Sequence, residues 1–213
     1  MLKNLGRWTL RKLGLYGLYS LKVRGPLLED GWFASFDQRR SVDREGNPIP
    51  YITYPALEFL TRRIRPEMSV FEYGSGASTL WWASRVAEVI ACEHNEEWYQ
   101  EIAAQAPSNV TLLHVPLEYG GAYCQTILRY ASRFDVVVVD GRDRVRCAKN
   151  SLAALKSGGV ILWDNSDREK YREGCQFLQD SGFRRIEFIG PTPLENQKSE
   201  TSVFYRSDNC LGI

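Results

Sequence analysis

No stretch of the chain is apolar for long enough to cross a membrane. The five cysteines, Cys92, Cys124, Cys147, Cys175 and Cys210, are scattered and odd in number, and no Cys-x-x-Cys pair occurs. Neither a zinc site nor a disulfide framework is indicated, so a reducing cytoplasm is the expected setting. Net charge is nearly absent, with 27 Lys and Arg against 26 Asp and Glu. Nothing therefore pulls the whole chain toward nucleic acid or acidic partners. Internal repeats and low-complexity tracts are missing as well. What is there is 213 residues, 44% hydrophobic and 25% charged, which suits one soluble domain with a real core.

Acids are missing from one place. The first 28 residues carry Lys3, Arg7, Arg11, Lys12, Lys22 and Arg24 but no Asp or Glu. On a helical wheel Leu2, Leu5, Trp8, Leu13, Tyr16 and Tyr19 share an arc, roughly opposite Lys3, Arg7, Arg11 and Lys22. Arg11 and Lys12 interrupt any signal-peptide core. One reading is a basic helix lying on a partner or on an anionic membrane, at its inner face. The other is a first helix packed on the domain or on a second subunit of a homodimer. In residues 25–55, Gly46, Pro48 and Pro50 exclude regular helix or central strand. The aromatics Trp32, Phe33, Phe36, Tyr51 and Tyr54 argue against disorder, leaving a surface wrap or a substrate lid. The expected division is 1–55, basic helix and lid-like segment, and 56–213, the ligand-binding domain.

From Pro55 onward the pattern is regular. A helix over Pro55–Ile64 precedes five apolar runs that read as strands: Met68–Phe71, Glu88–Cys92, Asn109–Val115, Asp135–Val139 and Val160–Trp163. Helices fit after them, at Leu80–Val86, Glu96–Gln105, Tyr123–Ser132, Val145–Leu155 and Arg168–Ser181. Two last strands, Phe183–Ile189 and Thr201–Tyr205, are joined by a loop with no room for a helix, so they should be antiparallel. Alternation of this kind predicts an α/β doubly wound sheet with right-handed crossovers. Glu72, Glu93, Asp140 and Asp164 then end four strands on one edge, where open α/β sheets bind ligands.

The pivot is Val70–Thr79: strand, glycine turn at Gly74 and Gly76, helix start. A dinucleotide would want a third glycine where Thr79 stands, and Glu72 would repel its pyrophosphate. That acid suits an ammonium group instead. Glu93, about 20 residues further on, can hold ribose hydroxyls in either nucleotide class.

Glu72-x-Gly74-x-Gly76 followed by Glu93 resembles the cofactor turn of class I S-adenosylmethionine-dependent methyltransferases. The likeness covers about residues 56–206 and implies a mostly parallel seven-stranded sheet of order 3-2-1-4-5-7-6. It implies that Glu72 approaches the amino group of S-adenosylmethionine, with Gly74 and Gly76 letting the backbone pass close. Ser75 to Ser78 would supply donors to its carboxylate, Glu93 would bind the ribose, and His94 would pack on adenine. Asp140 with Asp164-Asn165 is similar to the Mg²⁺ ligand set of catechol-type O-methyltransferases. The lysine expected beside the first Asp is replaced by Gly141-Arg142-Asp143-Arg144. Asp140 then serves as the base, or Arg142 steers an anionic substrate. A metal-free reading keeps Asp140 as base or anchor and gives Asp164 and Asn165 hydrogen-bonding roles.

Substrate contacts are expected from Arg142 and, in the segment before the first strand, from Arg39, Arg40, Asp43 and Tyr51. His114 is expected to be structural. No Asn/Asp-Pro-Pro-aromatic motif follows the fourth strand, so nucleic acid is not the expected substrate. The resemblance implies O-methylation of a small molecule or sugar hydroxyl. A nicotinamide-dependent oxidoreductase is the alternative enzyme, with Thr79 against it. A non-catalytic nucleotide-binding module docked at a membrane is the alternative outside catalysis.

Overall fold

A computed structural model describes residues 2–213, and side chains from Gly6 onward. The five alternating strands are β1 (Ser69–Tyr73), β2 (Glu88–Glu93), β3 (Val110–His114), β4 (Phe134–Val139) and β5 (Leu155–Asp164). They pair in parallel, and β6 (Arg184–Pro191) and β7 (Lys198–Tyr205) close the sheet antiparallel. The order is β3-β2-β1-β4-β5-β7-β6, as the resemblance implies. Between β1 and β4 the order turns, leaving a crevice beyond their carboxyl ends.

The valine run of β4 shows why the sheet sits in the middle. Val137 and Val139 face one core layer with Phe71, Tyr73, Ile161 and Trp163, while Val136 and Val138 face the other with Val70, Val89, Leu162 and Trp82. Alternate side chains of one strand therefore feed two cores. Trp82 and Trp163 are fully buried, and burial of large apolar side chains of this kind contributes about 1.5–3 kcal/mol each. One layer is covered by α8 (Ala122–Gln125), α9 (Arg144–Ala154) and α10 (Arg172–Asp180), the other by α5 (Tyr54–Thr61) and α6 (Ala77–Ala83). The helix after β2, α7 (Glu96–Ala103), lies against β2 and β3.

Three expectations change. The single N-terminal helix is two, α1 (Leu2–Lys12) and α2 (Tyr16–Val23), broken where Gly14 takes φ +69°. One wheel therefore does not run through both, and the side chains of Leu2, Lys3 and Leu5 lie outside the described residues. Helix 123–132 shrinks to α8 plus a 3-10 turn. The Cys124 carbonyl explains this, because it accepts from the Tyr73 hydroxyl (2.7 Å) and the Asn150 amide (2.8 Å) instead of continuing the helix. Finally, β5 begins at Leu155, five residues ahead of the expected start at Val160, and runs through Gly158 and Gly159. A Cβ on Gly159 would lie 2.6 Å from the Leu155 side chain and 3.0 Å from the Phe134 carbonyl, so glycine permits the register shift there.

Residues 25–55 contain two short helices that their composition hides, α3 (Pro26–Glu29) and α4 (Trp32–Gln38). The Gly46–Pro50 stretch is irregular and closes on itself by a bridge between Val42 and Pro48. Ile49, Ile52 and Tyr54 are buried in the core, and the Thr53 N–H donates to the Thr201 hydroxyl on β7. Among the described residues, no helix is long and apolar enough to cross a membrane.

Candidate active site

Glu72 is the last acid on β1 and is 1% exposed. Gly74 follows with φ +97°, and a Cβ there would come within 3.3 Å of the Gly141 backbone, so both the turn and the close approach require glycine. Gly76 is extended and makes no such demand. Its N–H donates to the Thr79 hydroxyl, which in turn donates to Glu72. The residue standing at the third-glycine position thus ties the helix start to the buried acid. Burial pushes the Glu72 carboxyl up to about 8. Hydrogen bonds from Ser78 and Thr79 oppose the rise, and Asp140 and Glu93 add to it.

Glu93, at the end of β2, is 3% exposed and knits the turn to its own loop. One oxygen accepts from the Ser75 N–H (2.9 Å) and hydroxyl (3.3 Å), the other from the N–H groups of His94 and Asn95 (both 2.8 Å). The Ser75 donors expected to face a ligand carboxylate are therefore turned inward. His94 Nδ1 lies 2.8 Å from Glu93 but is not aligned for a hydrogen bond, and its ring stands edge-on to Tyr123. Asn95 caps α7 by accepting from the Trp98 N–H at 2.7 Å. This sets the Trp98 indole over the glycine turn, where it donates to the Ser75 carbonyl at 2.5 Å. His114 pairs with Glu96 at 2.7 Å and lines neither cavity of the site.

Asp140 and Asp164 end β4 and β5, and Arg144 opens α9 beside them. The Arg144 guanidinium serves five acceptors with its five N–H groups. These are the Gly141 carbonyl (3.0 Å), the Asp140 carbonyl (2.6 Å), Asp140 Oδ1 (2.9 Å), Asn165 Oδ1 (3.4 Å) and the Asp164 carbonyl. Thr201 donates to the Asp164 carboxylate at 2.8 Å, and Asn165 donates to Ser199 at 3.0 Å. Burial raises the Asp164 carboxyl, with Asp140 adding to the rise and Arg144 opposing it; burial raises Asp140 too, against Arg144 and Arg168.

At the expected metal site, Asp140, Asp164 and Asn165, the fixed cation is Arg144. Octahedral Mg²⁺ needs their oxygens free and no fixed cation among them. Here a guanidinium stands between the three residues, bonds Asp140 and Asn165 side chains, and supplies the positive charge itself. Among the described residues, no group of three His, Cys, Asp or Glu could hold a metal ion.

Two cavities meet at this edge. The first, about 550 Å³, is lined by Glu72, Gly74, Ser78, Glu93, His94 and Arg142, among others. The second, about 370 Å³, lies between residues 39–51 and helices α6 and α7. Ser75, Ser78, Trp98 and Asp140 line both. Arg39 and Tyr51 line the second cavity, and Tyr51 donates to Glu195 at 2.9 Å. Arg142 is exposed and has no ion-pair partner among the described residues. Arg40 lines the second cavity too, where it pairs with Glu101 at 2.6 Å, whereas Asp43 lines neither and accepts from the Glu45 and Asn47 N–H groups to close its turn. Sequence reasoning passed over Arg144, Trp98 and the role of Thr79. For Arg144 a signal existed, a cation four residues after a strand-end acid.

A family model described as a methyltransferase domain matches residues 71–166, from β1 to just beyond β5. No curated protein matches the chain significantly. Among solved structures, a precorrin-6y C5,15-methyltransferase from Geobacter metallireducens is 15% identical with a TM-score of 0.59, over 80% of this chain and 97% of that one. A SAM-dependent O-methyltransferase from Thermotoga maritima is 17% identical with a TM-score of 0.57, over 85% and 71%. A proposed methyltransferase from Streptococcus mutans in complex with S-adenosylhomocysteine is 14% identical with a TM-score of 0.52, over 72% and 99%.

Proposed function

We propose that this chain, a class I S-adenosylmethionine-dependent methyltransferase, methylates a hydroxyl of a small molecule or sugar without a metal ion. The observation that carries the reading is the position of Asp140, the one carboxylate wall common to both cavities. The first cavity suits the cofactor. Its buried acid Glu72 has no basic side chain among the groups that set its titration, and it awaits a cation. Glu93 is placed for the ribose, whose hydroxyls would displace the Ser75 hydroxyl, the longest of the four bonds to that carboxylate. His94 and Trp98 offer flat faces for the base. When bound, the cofactor supplies an electrophilic methyl group on a sulfonium sulfur.

The chain's own residues do the rest. Residues 39–51 and Trp98 hold the acceptor in line and exclude water. Asp140 accepts a hydrogen bond from the acceptor hydroxyl and takes its proton as the oxygen gains the methyl group. Arg144 opposes the effect of burial, favours the ionised form of Asp140 and fixes its carboxylate for that task. Unpaired Arg142, with Arg39 in the second cavity, favours an acceptor that carries a negative group.

The experiment is a transfer assay with methyl-labelled S-adenosylmethionine and a panel of hydroxylated acids and sugar phosphates, in chelator. Transfer to oxygen that survives chelator and falls at least about a hundredfold in Asp140→Asn supports the reading. Activity that requires added Mg²⁺, or label found on nitrogen or carbon alone, would overturn it.

A further inference from the structure

Residues 6–24 contain no buried side chain, although they are rich in apolar ones. Seven of the twelve exposed large apolar residues among the described residues lie between Trp8 and Val23, including Trp8 (55% exposed), Leu13 (64%) and Leu18 (66%). A segment so apolar and so little covered by its own fold marks a docking surface. Its charge says what it docks on. The first 28 residues hold six basic and no acidic residues, leaving 21 basic against 26 acidic residues for the rest of the chain. The partner is therefore anionic, and an acidic body behind the segment is held away from the same surface.

Two cations of the segment lie against its aromatic rings. The Lys12 ammonium lies 4.2 Å from the centre of the Trp8 ring, and the Arg11 guanidinium 4.8 Å from that of Tyr16. Cations next to aromatics suit the headgroup level, with leucines below it. We propose that α1 and α2 dock the protein on an anionic lipid bilayer, their basic residues on the headgroups and Trp8, Leu13, Leu18 and their neighbours in the acyl boundary. A second copy of the chain fits less well, because it would set two segments of like charge together. Nucleic acid leaves the leucines unused. The docking segment leads through α3 and α4 toward the acceptor cavity: on α4 the Trp32 indole donates at 2.8 Å to the carbonyl of Glu195, whose carboxylate holds Tyr51.

The test is co-sedimentation of the full chain with vesicles of phosphatidylcholine alone and with added phosphatidylglycerol. Binding should need the anionic lipid and weaken with salt. The triple variant Arg7→Gln, Arg11→Gln, Lys12→Gln should lose roughly a hundredfold in partitioning, at about fivefold for each charge. Leu18→Ser should bind at least several-fold more weakly, and both should keep wild-type affinity for S-adenosylhomocysteine. Four results would overturn the proposal: no binding to anionic vesicles, equal binding to neutral ones, a stable dimer that Leu18→Ser dissociates, or duplex binding that the triple variant abolishes while vesicles are ignored.

Discussion

Glu72→Gln probes the electrostatics of the site where they are most sensitive. Burial lifts the Glu72 carboxyl from 4.5 to about 8. At pH 7 it is then about nine-tenths protonated in the empty protein, and a ligand that brings an ammonium group must expel that proton to form a pair. Binding of S-adenosylhomocysteine should release about 0.9 proton at pH 7 and about 0.5 at pH 8. Calorimetry in phosphate and in Tris, which differ in ionisation enthalpy, reads these numbers. Affinity should climb nearly tenfold per pH unit from about pH 5 to 7 and flatten above pH 8. In Glu72→Gln the proton release and the pH slope should both disappear, with weaker binding throughout.

Stability follows from the same linkage. The folded protein holds this proton more tightly than the unfolded chain, so the contribution is full below about pH 4.5 and is lost as pH rises through about 8. A gap from 4.5 to about 8 is worth at most about 4–5 kcal/mol. Glu72→Gln should therefore overtake the wild type in urea unfolding as the pH rises toward 8. Identical heats in the two buffers, with affinity flat from pH 5 to 8, would refute the reasoning.

Three further outcomes are expected. Arg144→Met leaves Asp140 and Asp164 without their cation and should cost about 3–5 kcal/mol by urea denaturation. Arg144→Lys should recover little, since an ammonium cannot serve five acceptors, and an unchanged midpoint in either variant would sink the built-in cation. Gly141→Ala would place a Cβ 2.0 Å from the Tyr123 hydroxyl and 2.9 Å from the Gly74 nitrogen. It should lose about 1–3 kcal/mol of stability and most ligand affinity, with partial recovery when Tyr123→Phe is added; full activity of the single variant would contradict the packing. Trp98→Ala should weaken S-adenosylhomocysteine about tenfold and leave the thermal midpoint nearly unchanged, because the indole is 42% exposed. A fall in the midpoint with unaltered affinity would make Trp98 a structural residue only.

By itself the sequence determined the layered sheet, its order through a family resemblance, and the edge where the site lies. The reason is local: four of the five parallel strands are apolar runs that end at an acid, and Gly74 supplies the positive φ that the turn after β1 requires. Glu72, Glu93, Asp140 and Asp164 were legible because hydrophobic runs end at them. Tertiary structure decided what those acids do. Whether Asp140 and Asp164 hold a metal depends on what stands between β4 and β5, and only the packing of α9 puts the Arg144 guanidinium there. Trp98 reaches the glycine turn only through the direction Asn95 gives α7, and Thr79 meets Glu72 only once the turn has closed. Pattern and period report on neighbours along the chain; a cation shared by two strand ends is a property of strands adjacent in space.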